Sequence, residues 1–145
     1  MVARTSKAQW NGTLKEGKGT VTVGNNIFEG EYSFPSRFEN GTGTNPEELV
    51  AAAHAACYSM ALSAAMSKDG LSPKSVKTNA KVHLEKVGEG FEITKIELET
   101  EADVPGLEQA KFLEYAEGAK KGCPISKALA GVKDIQLNAK LLANV

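Results

Sequence analysis

The run from Leu49 to Met66, LVAAAHAACYSMALSAAM, constrains this chain more than any other stretch. A helix over it approaches the length of a membrane span. Against that reading, His54, Ser59 and Ser63 interrupt the run, Glu47 and Glu48 precede it, and Lys68 and Asp69 follow it. Each such polar group carries a transfer cost in a bilayer, so a buried helix of a soluble protein is expected, with no membrane contact. Alanine and other small residues stand on nearly every side of the run. No wide polar face is left for water, and protein must enclose the helix. In a chain of 145 residues, a second subunit is a natural source of part of that cover.

The ends of this helix are marked. Asn45 suits the cap, Pro46 the first helical position, and Glu47 and Glu48 the positive helix end, with Glu48 able to reach back in a capping-box manner. Asp69-Gly70 and Ser72-Pro73 predict a stop near Lys68. Before the helix, short strands are expected over Gly19 to Val23 and Ile27 to Tyr32, joined by a Gly24-Asn25-Asn26 turn, with an earlier strand around Ala8 to Leu14. The Gly-, Asn- and Thr-rich stretch from Pro35 to Thr44 reads as a loop.

After the helix, Val76, Thr78, Ala80, Val82 and Leu84 alternate with Lys77, Asn79, Lys81, His83 and Glu85, the pattern of a half-buried strand. The run Phe91 to Thr100 pairs with it as a hairpin across Gly88-Glu89-Gly90. Its apolar residues change parity between Phe91/Ile93 and Ile96/Leu98, which predicts a bulge near Thr94-Lys95. A second helix is expected over about Leu107 to Lys121, ended by lysines and Gly122. Cys123-Pro124 then opens a helical turn to about Leu129, and Ile135, Leu137, Ala139 and Leu141 alternate as a last strand. Together these elements predict one α+β domain over 1–145, with mainly antiparallel sheets and a long central Ala-rich helix.

Size and charge exclude several function classes. Apolar residues make up 41% and charged residues 24%, which is ordinary globular usage. With 17 basic against 18 acidic side chains, and the lysines scattered, nucleic acid is not an expected partner. Met1 to Gly12 lacks the apolar run of a secretory signal, so a cytoplasmic location is expected. There, reductants remove purely structural disulfides, and two cysteines point to metal binding or redox work.

A free thiol has an ordinary pKa of about 8.5, and the thiolate is the nucleophile. Cys57 lies about three turns inside the helix, beyond the reach of the helix dipole, so lowering its pKa by about two units, worth about 2.7 kcal/mol, needs a cation. Arg37, one of two arginines beside 15 lysines, is the candidate, because arginine stays protonated and its planar fork can serve a thiolate while a carboxylate holds it in place. Glu47 is the natural clamp for it. The plainer alternative makes Arg37 a surface loop residue and Glu47 a helix-start acid. Cys123 sits at a helix junction where exposed N–H groups favour a thiolate, or else it is a small buried residue. Local physics nominates Cys123 as the more acidic thiol and leaves open which sulfur attacks first.

His54 and Cys57, three apart on a helix, present two potential metal ligands, with Cys123 and His83 as further partners. Without a CxxC or HxxxH pair, His54 reads better as packed or hydrogen-bonded in the core. Gly41-Thr42-Gly43-Thr44 before a helix suggests a phosphate cradle, but no Gly-Lys-Ser/Thr follows, and Glu47 and Glu48 have the wrong sign. Neither a metal nor any other cofactor is expected.

Gly43-Thr44-Asn45-Pro46-Glu47-Glu48-Leu49 with Ala51-Ala52-Ala53-His54-Ala55-Ala56-Cys57 resembles the first signature of the OsmC/Ohr family, and Gly122-Cys123-Pro124-Ile125-Ser126 the second. The resemblance runs nearly end to end from Trp10-Asn11-Gly12. His54 in its setting, Ser36-Arg37-Phe38-Glu39 and Cys123-Pro124-Ile125-Ser126-Lys127 are more similar to the OsmC branch than to the Ohr branch. It implies a peroxidatic Cys57, a resolving Cys123, an activating Arg37 and an orienting Glu47. It also implies an intertwined homodimer with active sites at the subunit interface, organic hydroperoxides as substrates, and an external dithiol, often lipoyl-type, as reductant. A non-catalytic redox sensor or binding protein on the same fold, and a structural dimer with incidental thiols, are the competing expectations.

Overall fold

The computed structural model describes residues 1–142, so the last three residues of the expected 1–145 domain lie outside the described residues. The chain divides into two compact units, residues 1–49 and the residues from Val50 onward, the division falling inside the long helix.

In the first unit, β1 (Ser6–Asn11), β2 (Lys18–Val23) and β3 (Phe28–Tyr32) form an antiparallel sheet in that order. The β2–β3 turn takes Gly24 and Asn26 to φ of 59° and 62°, a conformation that glycine and asparagine tolerate best. Gly19 pairs with Trp10 on one side and Tyr32 on the other. A Cβ there would lie 2.5 Å from the Tyr32 ring and 2.7 Å from the Trp10 ring, so the tilted ring pair, 5.4 Å between centroids, requires glycine beneath it.

A short helix, α1 (Phe34–Phe38), occupies part of the stretch expected to be loop. Its cause is a capping box: Ser36 N–H donates to Ser33 Oγ, and Ser33 N–H donates to Ser36 Oγ, around Pro35. Ser36 Oγ–H also donates to the Thr44 carbonyl at 2.7 Å, and Asn45 Nδ2–H to the Ser36 carbonyl at 3.0 Å. The return passes through Gly43, at φ 111°, where a Cβ would meet the Glu31 carbonyl oxygen at 2.6 Å.

The long helix, α2 (Pro46–Lys68), has the expected bounds. Asn45 Oδ1 accepts from Glu48 N–H at 2.8 Å, while the Glu48 carboxylate takes the Thr44 hydroxyl instead of reaching back to the cap backbone. At the far end Gly70 adopts φ 86°, with Leu71 N–H bonded to Met66 O and Gly70 N–H to Ser67 O, a Schellman closure.

In the second unit, β4 (Ser75–Val87) and β5 (Gly90–Asp103) pair antiparallel. His83 faces Lys95 and Leu84 faces Ile93, which leaves Thr94 as the extra residue of the expected bulge. β6 (Asp134–Leu141) lies parallel to β5. The helix α3 (Gln109–Gly122) starts two residues later than expected, after a Pro105-Gly106 turn with Gly106 at φ 80°, and α4 (Pro124–Ala128) follows. Gly122 does not end α3 by the left-handed route. It stays helical, and Cys123, at φ −57° and ψ 123°, makes the break, because the ring of Pro124 disfavours helical geometry at the residue before it.

The core of this unit takes Tyr58, Leu62 and Met66 from α2, Ile96, Leu98 and Ala102 from β5, and Phe112 and Ala119 from α3. Tyr58 O–H donates to the Ala116 carbonyl at 2.9 Å, and Ser59, Thr78 and Thr100 link α2 to the sheet through their hydroxyls. By length and composition α2 suffices to cross a membrane. The expectation that it is enclosed on nearly every side is not met within one chain. One stripe, His54, Tyr58, Leu62 and Met66, is fully buried, while Ala52, Ala53, Ala56, Met60 and Ala64 are exposed.

Candidate active site

Two groups of side chains carry the expected chemistry, one in each unit. In the first, α1 presents Arg37 and the opening turn of α2 presents Glu47. Nη2–H of Arg37 donates to Glu47 Oε1 at 2.7 Å, and Nε–H lies 3.1 and 3.2 Å from Oε1 and Oε2. The Glu47 side chain is 11% exposed and that of Arg37 35%. The Phe38 ring lies 5.3 Å from the guanidinium carbon. This side-on fork fixes the plane of the guanidinium and leaves Nη1 uncommitted among the described residues. Arg37 is exposed, as the plainer alternative has it, but it stands in the short helix α1 and not in a loop, and Glu47 holds it.

In the second unit, α2 presents Cys57, half-buried, and the α3–α4 junction presents Cys123, fully buried; both thiols are free. Each thiol acts on the other, and the interaction raises Cys57 and lowers Cys123. Burial raises Cys57, and the Cys123 sulfur adds to this against a smaller opposing pull from the Ile125 N–H. Burial also pushes Cys123 upward, but the Cys57 thiol, the N–H and hydroxyl of Ser126 and the Ile125 N–H together outweigh it and hold Cys123 below its ordinary value. The Cys123 side chain closes no capping hydrogen bond on α4, so the backbone groups act on the sulfur as oriented dipoles. The direction of this shift is the one expected of a thiol at a helix junction. What acts on Cys57 within one chain is burial, Cys123 and Ile125.

His54 is fully buried, as expected of a core histidine, and its Nε2 lies 2.7 Å from Ser126 Oγ. Burial lowers its pKa. His83, the other histidine, pairs with Glu97 across the β4–β5 hairpin at 2.6 Å. The described residues hold no group of three or more His, Cys, Asp or Glu side chains able to share a metal ion.

Sequence reasoning missed Ser126. The signal was its place three residues after Cys123, in the first turn of α4.

Residues 39–138 match the family model for OsmC-like proteins. Peroxiredoxin OsmC of Escherichia coli (strain K12) is 46% identical over 129 residues, covering 88% of this chain and 90% of the relative. An organic hydroperoxide resistance protein of Xanthomonas axonopodis pv. citri is 36% identical over 123 residues, covering 83% and 84%. The crystal structure of an organic hydroperoxide resistance protein OsmC from Legionella pneumophila superposes with a TM-score of 0.72 at 25% identity, covering 99% of this chain and 100% of that one. By its family match, its sequence relatives and its fold, the chain belongs to the OsmC/Ohr family.

Proposed function

We propose that this protein is a cytoplasmic thiol peroxidase that reduces organic hydroperoxides to alcohols, with Cys57 as the attacking sulfur and Cys123 as the resolving one. The observation that carries this reading is the pair of free cysteines, Cys57 half-buried on α2 and Cys123 enclosed at the α3–α4 junction, each of which shifts the other's pKa. The name of the Xanthomonas relative supports the same substrate class, and that of the Escherichia coli relative supports peroxidase activity. The family match crosses the division between the two units, which supports treating them as one OsmC-like domain.

The Cys57 thiolate attacks the distal oxygen of the hydroperoxide. The O–O bond breaks, the alkoxide takes a proton and leaves as alcohol, and Cys57 becomes a sulfenic acid. The Cys123 thiolate then attacks the Cys57 sulfur, the hydroxyl leaves as water after taking a proton, and a disulfide forms. An external dithiol, of lipoyl type in this reading, restores both thiols by exchange. Within one chain, burial opposes the Cys57 anion, so the reaction needs a positive charge brought to it. Arg37, held by Glu47, supplies that charge when two chains assemble, and the guanidinium also stabilises charge on the departing oxygen.

The test is turnover of cumene hydroperoxide with excess dithiol. Wild type is expected to consume many equivalents per subunit, Cys57→Ser none, and Cys123→Ser to stop at a trappable sulfenic acid. Arg37→Ala should slow the oxidation step by about 100-fold, the equivalent of two pKa units. A redox sensor would consume about one equivalent, and equal consumption by wild type and Cys57→Ser would end the peroxidase reading.

A further inference from the structure

Resting on the peroxidase reading, we propose that His54 and Ser126 form a positioning pair for Cys123. His54 fixes the Ser126 hydroxyl so that it receives the charge on the Cys123 sulfur when a dithiol opens the Cys57–Cys123 disulfide.

A serine hydroxyl carries a single hydrogen, and Ser126 stands in the first turn of α4, one turn after its cap residue Cys123, where giving that hydrogen to the sulfur agrees with a Cys123 thiol held below its ordinary value. Ser126 Oγ must then accept from His54 Nε2–H across the 2.7 Å contact. This fixes the tautomer, and it accounts for a second observation: His54 Nδ1 is buried without a partner among the described residues. With the proton on Nε2, the orphaned atom is a bare lone pair and no N–H donor is stranded. Burial keeps the ring neutral, so it serves as an oriented donor and not as a cation. The chain of donors therefore runs one way, from Nε2–H to Oγ, and from Oγ–H to sulfur.

That direction matters in the reductive half of the cycle. Cys57 is the accessible sulfur and Cys123 the enclosed one, so one thiolate of the dithiol attacks Cys57. A new S–S bond forms between reductant and Cys57, the Cys57–Cys123 bond breaks, and its electron pair goes to Cys123 as a thiolate. The second sulfur of the dithiol, after losing its proton, closes the reductant's own disulfide and expels Cys57. Two electrons pass to the protein, and the two reductant protons end on the protein thiols. Exchange is faster when the leaving sulfur is less basic, and the Ser126 hydroxyl lowers that basicity only while it is aimed.

The experiment separates the half-reactions. The disulfide is formed with diamide, so that its presence does not depend on peroxide chemistry, and its reduction by dithiothreitol is followed by stopped flow. Oxidation of the reduced protein by cumene hydroperoxide is timed separately. Ser126→Ala and His54→Leu are expected to slow reduction at least tenfold, with the oxidation rate falling by less than threefold. His54→Gln, which keeps an N–H near the Nε2 position, should reduce within about threefold of wild type. Circular dichroism and thermal melting establish that each variant is folded. Reduction rates within twofold of wild type in folded Ser126→Ala, or equal losses in both half-reactions, would overturn the proposal. If peroxide consumption proves independent of Cys57, the peroxidase reading fails by itself, and the diamide arm still reports on Ser126 and His54.

Discussion

Protonation of His54 is set by what surrounds it. The imidazole is fully buried, and burial lowers its pKa from the ordinary 6.5. In the unfolded chain it takes a proton near that ordinary value, and in the folded chain only at lower pH. Between the two the unfolded state holds more protons, so stability rises with pH and falls as pH drops through the window. The slope from one such group is at most about 1.4 kcal/mol per pH unit. Glu97, held below its usual range chiefly by the hydrogen bond from His83, titrates further down. Urea unfolding at pH 7 and pH 5.5 should therefore show a loss of stability in wild type that is clearly reduced in His54→Gln. The same loss in both proteins would mean that His54 does not titrate with folding.

At the scale of elements, the start of α2 binds structure to chemistry. Asn45 does two jobs with one side chain: its oxygen caps Glu48 N–H, and its nitrogen holds the Ser36 carbonyl of α1. Loss of a cap of this kind costs about 1 kcal/mol, and here the second bond is lost with it. Asn45→Ala is expected to lower unfolding stability by about 1–2 kcal/mol in denaturant titration. It should also loosen the register of Arg37 against Glu47, seen as a slower oxidation of Cys57; unchanged oxidation would show that the clamp does not depend on this cap. Much of this region was legible in the sequence, because Asn45-Pro46-Glu47-Glu48 is a local signal and local signals survive folding. So were the strands with strict alternation and the bulge at Thr94, where a parity change in the apolar residues reports a register change directly. The helix α1 was not, since its capping box lies in a stretch of glycine, asparagine and threonine whose composition argues for loop. The parallel pairing of β6 with β5 and the contact between His54 and Ser126 depend on distant residues meeting. No local pattern encodes such meetings, and for the same reason the residues alone left the order of the two thiols open.

The whole molecule leaves one physical problem open within a single chain. Along α2, Ala52, Ala53, Ala56, Met60 and Ala64 form a face of small apolar residues that the chain does not cover, with Met60 at 75% exposure. Small side chains let another backbone approach closely, and burying a methionine contributes about 1.5–3 kcal/mol. The same chain carries a clamped arginine and a cysteine that lacks a cation among the groups acting on it. We propose that a homodimer covers this face and that its assembly completes the electrostatics of Cys57. Oligomeric state and chemistry are then inseparable, and a charge placed on this face tests the link. Met60→Glu is expected to shift the protein from dimer to monomer in sedimentation. Its rate of Cys57 oxidation by cumene hydroperoxide should fall by about as much as that of Arg37→Ala. Combining the two substitutions should add little, because both remove the same charge from the same sulfur. A monomeric Met60→Glu that still oxidises at the wild-type rate would show that one chain activates its own thiol.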